Sequence, residues 1–479
     1  MTLARRIAYN TFISLWGRLI GTALALINLG FITRYLGKEG FGSYALVLAF
    51  ISIFDILADF GLYSLMTREI SRPGADEKKV ASNIFTLRIV TLLIFLSLAI
   101  GAVWLFPYSN QVKIGVAIGV IASLFLSASQ VLMGIFQKYL RTDKVALAEV
   151  IGRGIQLGLV IVCVYFNLGF FSLLAALTIG AVFIFVINFF FARRYVILGL
   201  AFNFAYWKEL FKMVFPIAIS IVLTLIYFKI DSIFLSLGFI NRLSANPISD
   251  VGIYGIAYKV LEGLIFFPAM FVGLIMPLLS RFAFSDQEQF KKISQKALDI
   301  LVILVIPLMI GLLMLALPIV NLIGGKEFSA SAPVLQILSF AIGLIFFGNL
   351  FGSSIIALNK QKTGTWIYFG GMIFNIVTNL IFIPKYSYVG AASTTVATEF
   401  LVTILMIILI YRTIHYFPRF NVIKPLIAGL VMGLFIYYFH NLNIFLLAGL
   451  GAIIYFGILY LIKGIKKDEI LMLVQKDSR

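Results

Sequence analysis

The sequence predicts an all-α polytopic membrane protein of about fourteen transmembrane helices, two six-helix bundles followed by two C-terminal helices. Three observations predict it. Hydrophobic residues make up 62% of the 479 and charged residues only 12%, at a mean hydropathy of +1.06; a soluble surface needs about twice that share of charge. Apolar runs of roughly 20 residues, the length that crosses a hydrocarbon core, recur from end to end. The Lys and Arg residues punctuate these runs instead of gathering in one polar segment.

Taken in order, the spans are expected near 10–34, 42–66, 82–106, 113–136, 146–166, 170–192, 213–238, 252–279, 298–322, 332–357, 364–383, 388–411, 422–439 and 443–462. The first follows a charged start, Met1 to Arg6, and is too long for a signal-peptide core, so it reads as a retained helix. The loops on one side hold 27 of the 38 basic residues, the opposite loops hold six, and five lie within spans. That alternation is the positive-inside pattern; it sets both termini in the cytoplasm and requires an even number of crossings. The expected location is the cell membrane.

The connection Ala192–Lys212 mixes aromatics with charge and reads as an interfacial helix or linker between the halves. The expected organisation is an N-lobe over 1–195, a linker over 196–212, a C-lobe over 213–413, and two further helices with a cytoplasmic tail over 414–479. Gly42-Ser-Tyr44 in the second span and Gly252-Ile-Tyr254 in the eighth stand six helices apart, which suggests repeats of the same orientation.

Composition also excludes functions. A net charge of +18 spread over loops is a topology signal and not a nucleic-acid groove. Cys163 is the single cysteine, and His415 and His440 lie at helix ends, so no metal cofactor is expected. The sequence carries no Gly-rich phosphate loop, His-containing metal motif or acidic loop of catalytic size, which argues against an enzyme. Any coupling ion would be H+ or Na+, and the sequence does not choose between them.

Ionisable side chains at membrane depth are costly and mark function. Arg18, Arg88, Arg153, Lys229 and Lys259 are the cationic candidates for a substrate cavity, with Arg88 also placed where it could snorkel to the interface. Asp55, Asp59, Glu149, Asp231, Glu262 and Glu399 are candidates for coupling or ion pairing. Glu149–Arg153 and Lys259–Glu262 are spaced to pair along one helix face, whereas Asp55 and Asp59 repel and need a cation, for which Arg18 is the expected partner. Cations weighted toward the cytoplasmic side of the N-lobe would draw in an anionic head group such as a pyrophosphate.

Thr33-Arg-Tyr-Leu-Gly-Lys-Glu-Gly-Phe-Gly-Ser-Tyr-Ala-Leu46 with Ala58-Asp-Phe-Gly-Leu62 resembles the N-terminal signature of Wzx-type polysaccharide and O-antigen flippases, members of the multidrug/oligosaccharidyl-lipid/polysaccharide (MOP) exporter superfamily. Tyr227-Phe-Lys-Ile-Asp-Ser-Ile-Phe-Leu235 and Tyr388-Val-Gly-Ala-Ala-Ser-Thr-Thr-Val-Ala-Thr-Glu399 resemble that family's seventh- and twelfth-helix motifs. The resemblance implies alternating access and a polyprenyl-(pyro)phosphate-linked glycan as substrate, with a polysaccharide polymerase and glycosyltransferases as neighbours in the pathway. A lipid-linked peptidoglycan precursor flippase and a cation-coupled multidrug exporter of the same superfamily are the alternatives.

Overall fold

The computed structural model describes residues 3–464 apart from Pro73, with side chains from Trp16 onward except Ser64 and several positions between 214 and 226. The tail beyond 464 and the first two residues lie outside the described residues. The described chain is helical almost throughout, with no strand. Its helices are α1 (Leu3–Asp59), α2 (Leu62–Ile70), α3 (Glu77–Ala102), α4 (Asn110–Lys138), α5 (Thr142–Tyr165), α6 (Phe170–Ala192) and α7 (Phe204–Ser236). They continue as α8 (Pro247–Ser285), α9 (Gln287–Gly324), α10 (Ser331–Ala357), α11 (Gln361–Ile414), α12 (Ile423–Tyr438) and α13 (Ile444–Leu461).

At 1.5 Å rise per residue, the 57 residues of α1 and the 54 of α11 would each run about 80 Å or more, far beyond a core of about 30 Å. Each holds two spans, broken where the backbone leaves the helical region: Gly37 (φ 64°) in α1 and Ser387 (φ 46°) in α11. Counting these two helices twice and setting aside the nine-residue α2 gives fourteen spans among the described residues, as expected. Ten of the described helices are long and apolar enough to cross a membrane, and α12 is a shorter apolar helix of 16 residues.

The second span departs from the uninterrupted helix expected over 42–66. It breaks at Phe60 (φ 44°) and Gly61 (φ 73°), and α2 resumes the path. The Asp59 carboxylate accepts from the Gly61 amide at 3.2 Å and Thr91 of α3 donates to the Ala58 carbonyl at 2.9 Å, so the opened backbone is served from both sides. Phe60 packs edge-on against Phe95 and Phe211.

Packing divides the chain into two compact units. The first runs up to Gly255 and adds Ile323–Glu327 and Tyr368–Ala391; the second holds Ile256–Leu322, Phe328–Ile367 and the described residues from Ala392 onward.

In the first unit, the two Gly-x-Tyr sequences pack on one another. A Cβ on Gly42 would lie 1.9 Å from the Ile248 carbonyl oxygen, and one on Gly252 would lie 2.4 Å from the Lys38 carbonyl oxygen. Only glycine permits this backbone crossing. Beside it, Asp250 accepts from Asn241 Nδ2 at 3.0 Å and from the Ser387 hydroxyl, which ties the strained turn of α11 to the start of α8. At the other end of the same unit Lys138 reaches the Ile70 carbonyl and Glu77, both at 2.5 Å. Tyr139, in the loop after α4, donates to Glu77 at 2.5 Å, and the carboxylate holds its phenol proton up to about 12.

In the second unit the C-terminal pair α12–α13 docks on α9. A Cβ on Gly429 would fall 2.4 Å from Ile310 Cδ1, and the fully buried Tyr455 donates to the Ile303 carbonyl at 2.8 Å. Tyr455→Phe is expected to cost about 1 kcal/mol by leaving that carbonyl unpaired, read as a lowered midpoint in thermal unfolding of the purified full chain.

Candidate intramembrane polar site

Three groups of polar side chains in the first unit hold the ionisable residues singled out in its spans. The first surrounds Arg88 on α3, which is fully buried. Its Nη1 lies 3.1 Å from Asp59 and its Nη2 3.6 Å from Asp55, while its Nε faces the Ser127 carbonyl at 3.5 Å. Ser127 in turn donates to Asp55 at 2.5 Å. The guanidinium that the two aspartates required is therefore supplied by Arg88, where the sequence pointed to Arg18. It does not snorkel, because two carboxylates hold it within the bundle at an energy that hydration at the interface would have to match. Two acids on one base leave the group formally one charge negative when all three are ionised.

The second group lies where α1 meets α5. Arg153 and Glu149 pair at 2.7 Å, at the i, i+4 spacing expected of them, and both side chains are about a third exposed. Gly21 of α1 faces them: a Cβ there would sit in ordinary contact, 3.5 Å from the Glu149 carboxyl carbon. Arg18, one turn earlier on α1, is half-buried and within electrostatic reach of the Tyr63 hydroxyl. Gln137 and Tyr63 are hydrogen-bonded, and Thr67 donates to Gln137 Oε1 at 3.0 Å.

The third group is centred on Asp231 of α7, which is 1% exposed. It accepts from the Tyr254 hydroxyl at 2.8 Å and from Asn379 Nδ2 at 2.7 Å, and Asn379 Nδ2 also donates to Asn375 Oδ1 at 3.0 Å. Both asparagines are fully buried, and Asn379 Oδ1 makes no hydrogen bond. A buried carboxylate at membrane depth is a candidate to hold a proton or a small cation. Lys229, two residues away on the same helix, is half-buried.

In the second unit Lys259 and Glu262 pair at 2.6 Å, at the expected i, i+3 spacing, and are partly exposed. Glu399 is buried on α11, as are Thr394, Thr395 and Thr398 of the same helix. An apolar cavity of about 530 Å³ lies between α8, α9, α10, α12 and α13, lined among others by Phe267, Pro307, Met432, Gly451 and Phe456.

Asn375 and Asn379 were not among the sequence candidates, which were limited to ionisable groups. Two asparagines four apart in an apolar run would have been the signal, since neutral amides at membrane depth also need partners.

The chain has recognisable relatives. It is 29% identical over 209 residues to a membrane protein of Methanocaldococcus jannaschii, an alignment that takes in 40% of this chain and 41% of that one. It is 24% identical over 410 residues, 85% of this chain and 82% of the other, to the "Probable low-salt glycan biosynthesis flippase Agl15" of Haloferax volcanii. Among solved structures it shares its fold with a lipid II flippase in an inward closed conformation, at a TM-score of 0.74 and 16% identity, over 95% of this chain and 98% of that one. The family model described as "Polysaccharide biosynthesis protein" matches residues 31–333, more than half of the sequence. The chain belongs to that polysaccharide biosynthesis protein family.

Proposed function

We propose that this protein is a flippase that carries a polyprenyl-(pyro)phosphate-linked oligosaccharide from the cytoplasmic to the outer leaflet, by alternating access, for cell-surface polysaccharide biosynthesis. The observation that carries the reading is family membership, joined to an alignment with a glycan biosynthesis flippase along more than four-fifths of both chains. Membrane chemistry supports it. Cations that stay partly exposed at membrane depth, Arg18, Arg153, Lys229 and Lys259, suit a phosphate head group better than an apolar or cationic cargo. The apolar cavity beside α12 and α13 suits a stretch of polyprenyl chain.

In this reading the protein moves its substrate and leaves its covalent bonds unchanged. It sits in the cell membrane with both termini in the cytoplasm. Asp231, with Tyr254, Asn375 and Asn379 around it, is the leading place for a coupling H+ or Na+. Glycosyltransferases would supply the cargo and a polymerase would consume it. The likeness to a lipid II flippase is one of fold and does not favour peptidoglycan precursor as cargo.

The test is movement of a fluorescent polyprenyl-pyrophosphate glycan across proteoliposomes containing the full chain. Movement is expected, with a loss of tenfold or more in the Arg18→Ala/Lys229→Ala double variant, since each phosphate contact removed weakens a charge-assisted bond by about 1.5–3 kcal/mol. Export of cationic drugs without movement of the glycan would overturn the reading.

A further inference from the structure

The segment leaving α6 is a strap held to α3 by its backbone. The amides of Gly199, Ala201 and Asn203 donate to Ser82 Oγ (3.2 Å), Thr86 Oγ1 (2.9 Å) and Asn83 Oδ1 (3.2 Å). Every second amide is taken, the alternation of an extended chain, so the amides of Leu200 and Phe202 point to the opposite edge. Trp207 locks the end of the strap by donating to Asn83 at 3.1 Å.

That outer edge has a chemical character of its own. Ile197, Leu200, Phe202 and Phe204 are 64%, 70%, 59% and 71% exposed. Arg193 and Arg194 precede them, both exposed and both stacked on phenylalanine rings of α6, with their guanidinium carbons 5.7 and 5.6 Å from the ring centres. Large apolar side chains beside fixed guanidinium groups and outward amides match the boundary between acyl chains and phosphates.

The second unit repeats the construction after α11. Gln295 of α9 accepts from the Arg419 amide (3.0 Å) and donates to its carbonyl (2.7 Å), and Asp299 accepts from Asn421 at 2.9 Å. Phe417 and Ile423 are 66% and 73% exposed there, with Arg419 and Lys424 exposed beside them. An anchored inner edge with an aromatic, basic outer edge is thus built twice.

We propose that the 196–204 strap is a binding strip for an anionic glycerophospholipid. Arg193, Arg194 and the outward amides take the phosphate, and Ile197, Leu200, Phe202 and Phe204 lie among the acyl chains. Charge selects the occupant: a zwitterionic head group brings its own cation to a strip that already holds two.

Native mass spectrometry of the full chain released from nanodiscs, with phosphatidylglycerol and phosphatidylcholine offered equally, tests this without reference to the transported cargo. Its failure would leave the flippase reading standing. The wild-type chain is expected to retain phosphatidylglycerol in preference. Arg193→Gln/Arg194→Gln should weaken that retention roughly 30-fold, from about one surface-charge contribution per residue, while leaving phosphatidylcholine as it was. Asn83→Ala/Thr86→Ala, which keeps both cations but frees the strap, should lower it several-fold. Equal retention of the two lipids by the wild-type chain overturns the proposal, and so does an undiminished preference in either double variant. Displacement by glycerol phosphate at the same concentration would also overturn it, because the strip would then be a phosphate site and not a lipid one.

Discussion

Arg88→Ala is expected to destabilise the full chain by about 3–5 kcal/mol and to abolish transport, because it strands two carboxylates that share one cation inside the bundle. Neither carboxylate reaches water freely: both side chains are only about a quarter exposed, and each would give up a hydrogen bond, Asp59 from the Gly61 amide and Asp55 from Ser127. The test is thermal unfolding in detergent beside the triple variant Arg88→Met/Asp55→Asn/Asp59→Asn. Removing all three charges together should recover most of the lost stability, since well-packed neutral groups replace a buried ionic triad at little cost. An Arg88→Ala chain as stable as wild type would show that the cluster is solvated and that its buried geometry has no energetic weight.

Gly42→Leu and Gly252→Leu should each cost about 3 kcal/mol or more, at or beyond the upper end of ordinary overpacking. The obstacle in both cases is a backbone carbonyl, 1.9 Å and 2.4 Å from the added carbon, which cannot rotate aside as a side chain would. Relief requires the second and eighth spans to separate. Gly370→Leu is the control: its Cβ would meet nothing within 4 Å, so a change within about 0.5 kcal/mol is expected. Thermal midpoints of the three variants decide the matter, and equal losses at all three sites would refute the crossing.

What the sequence disclosed follows from how local each interaction is. Spans and their number were legible because apolar length and the alternation of Lys and Arg are one-dimensional signals. Glu149–Arg153 and Lys259–Glu262 were legible because both members ride on one helix, where spacing alone brings them together. Arg88 was assigned less well. Its partners come from another helix, and nothing in the spacing of 55, 59 and 88 states which of several intramembrane arginines will face them. The break at Phe60–Gly61 was hidden because the apolar pattern runs through it unchanged, and the hydrogen bonds that make it tolerable come from Thr91 and Asp59. The Gly-x-Tyr pair was noticed as a sign of repetition. Its physical content is the contact between the two copies, with Tyr254 of one also holding Asp231.

The strap on α3 also sets an order of assembly. Ser82, Asn83 and Thr86 enter the membrane with the third span, yet the amides they receive lie 115 to 120 residues further along. Until that stretch has been synthesised, Asn83 Oδ1 lacks the two donors it will have, the Asn203 amide and the Trp207 indole. The first six spans therefore stay provisional through most of their own synthesis. The residues that complete them come after the sixth span, as the ribosome turns to the second half of the protein.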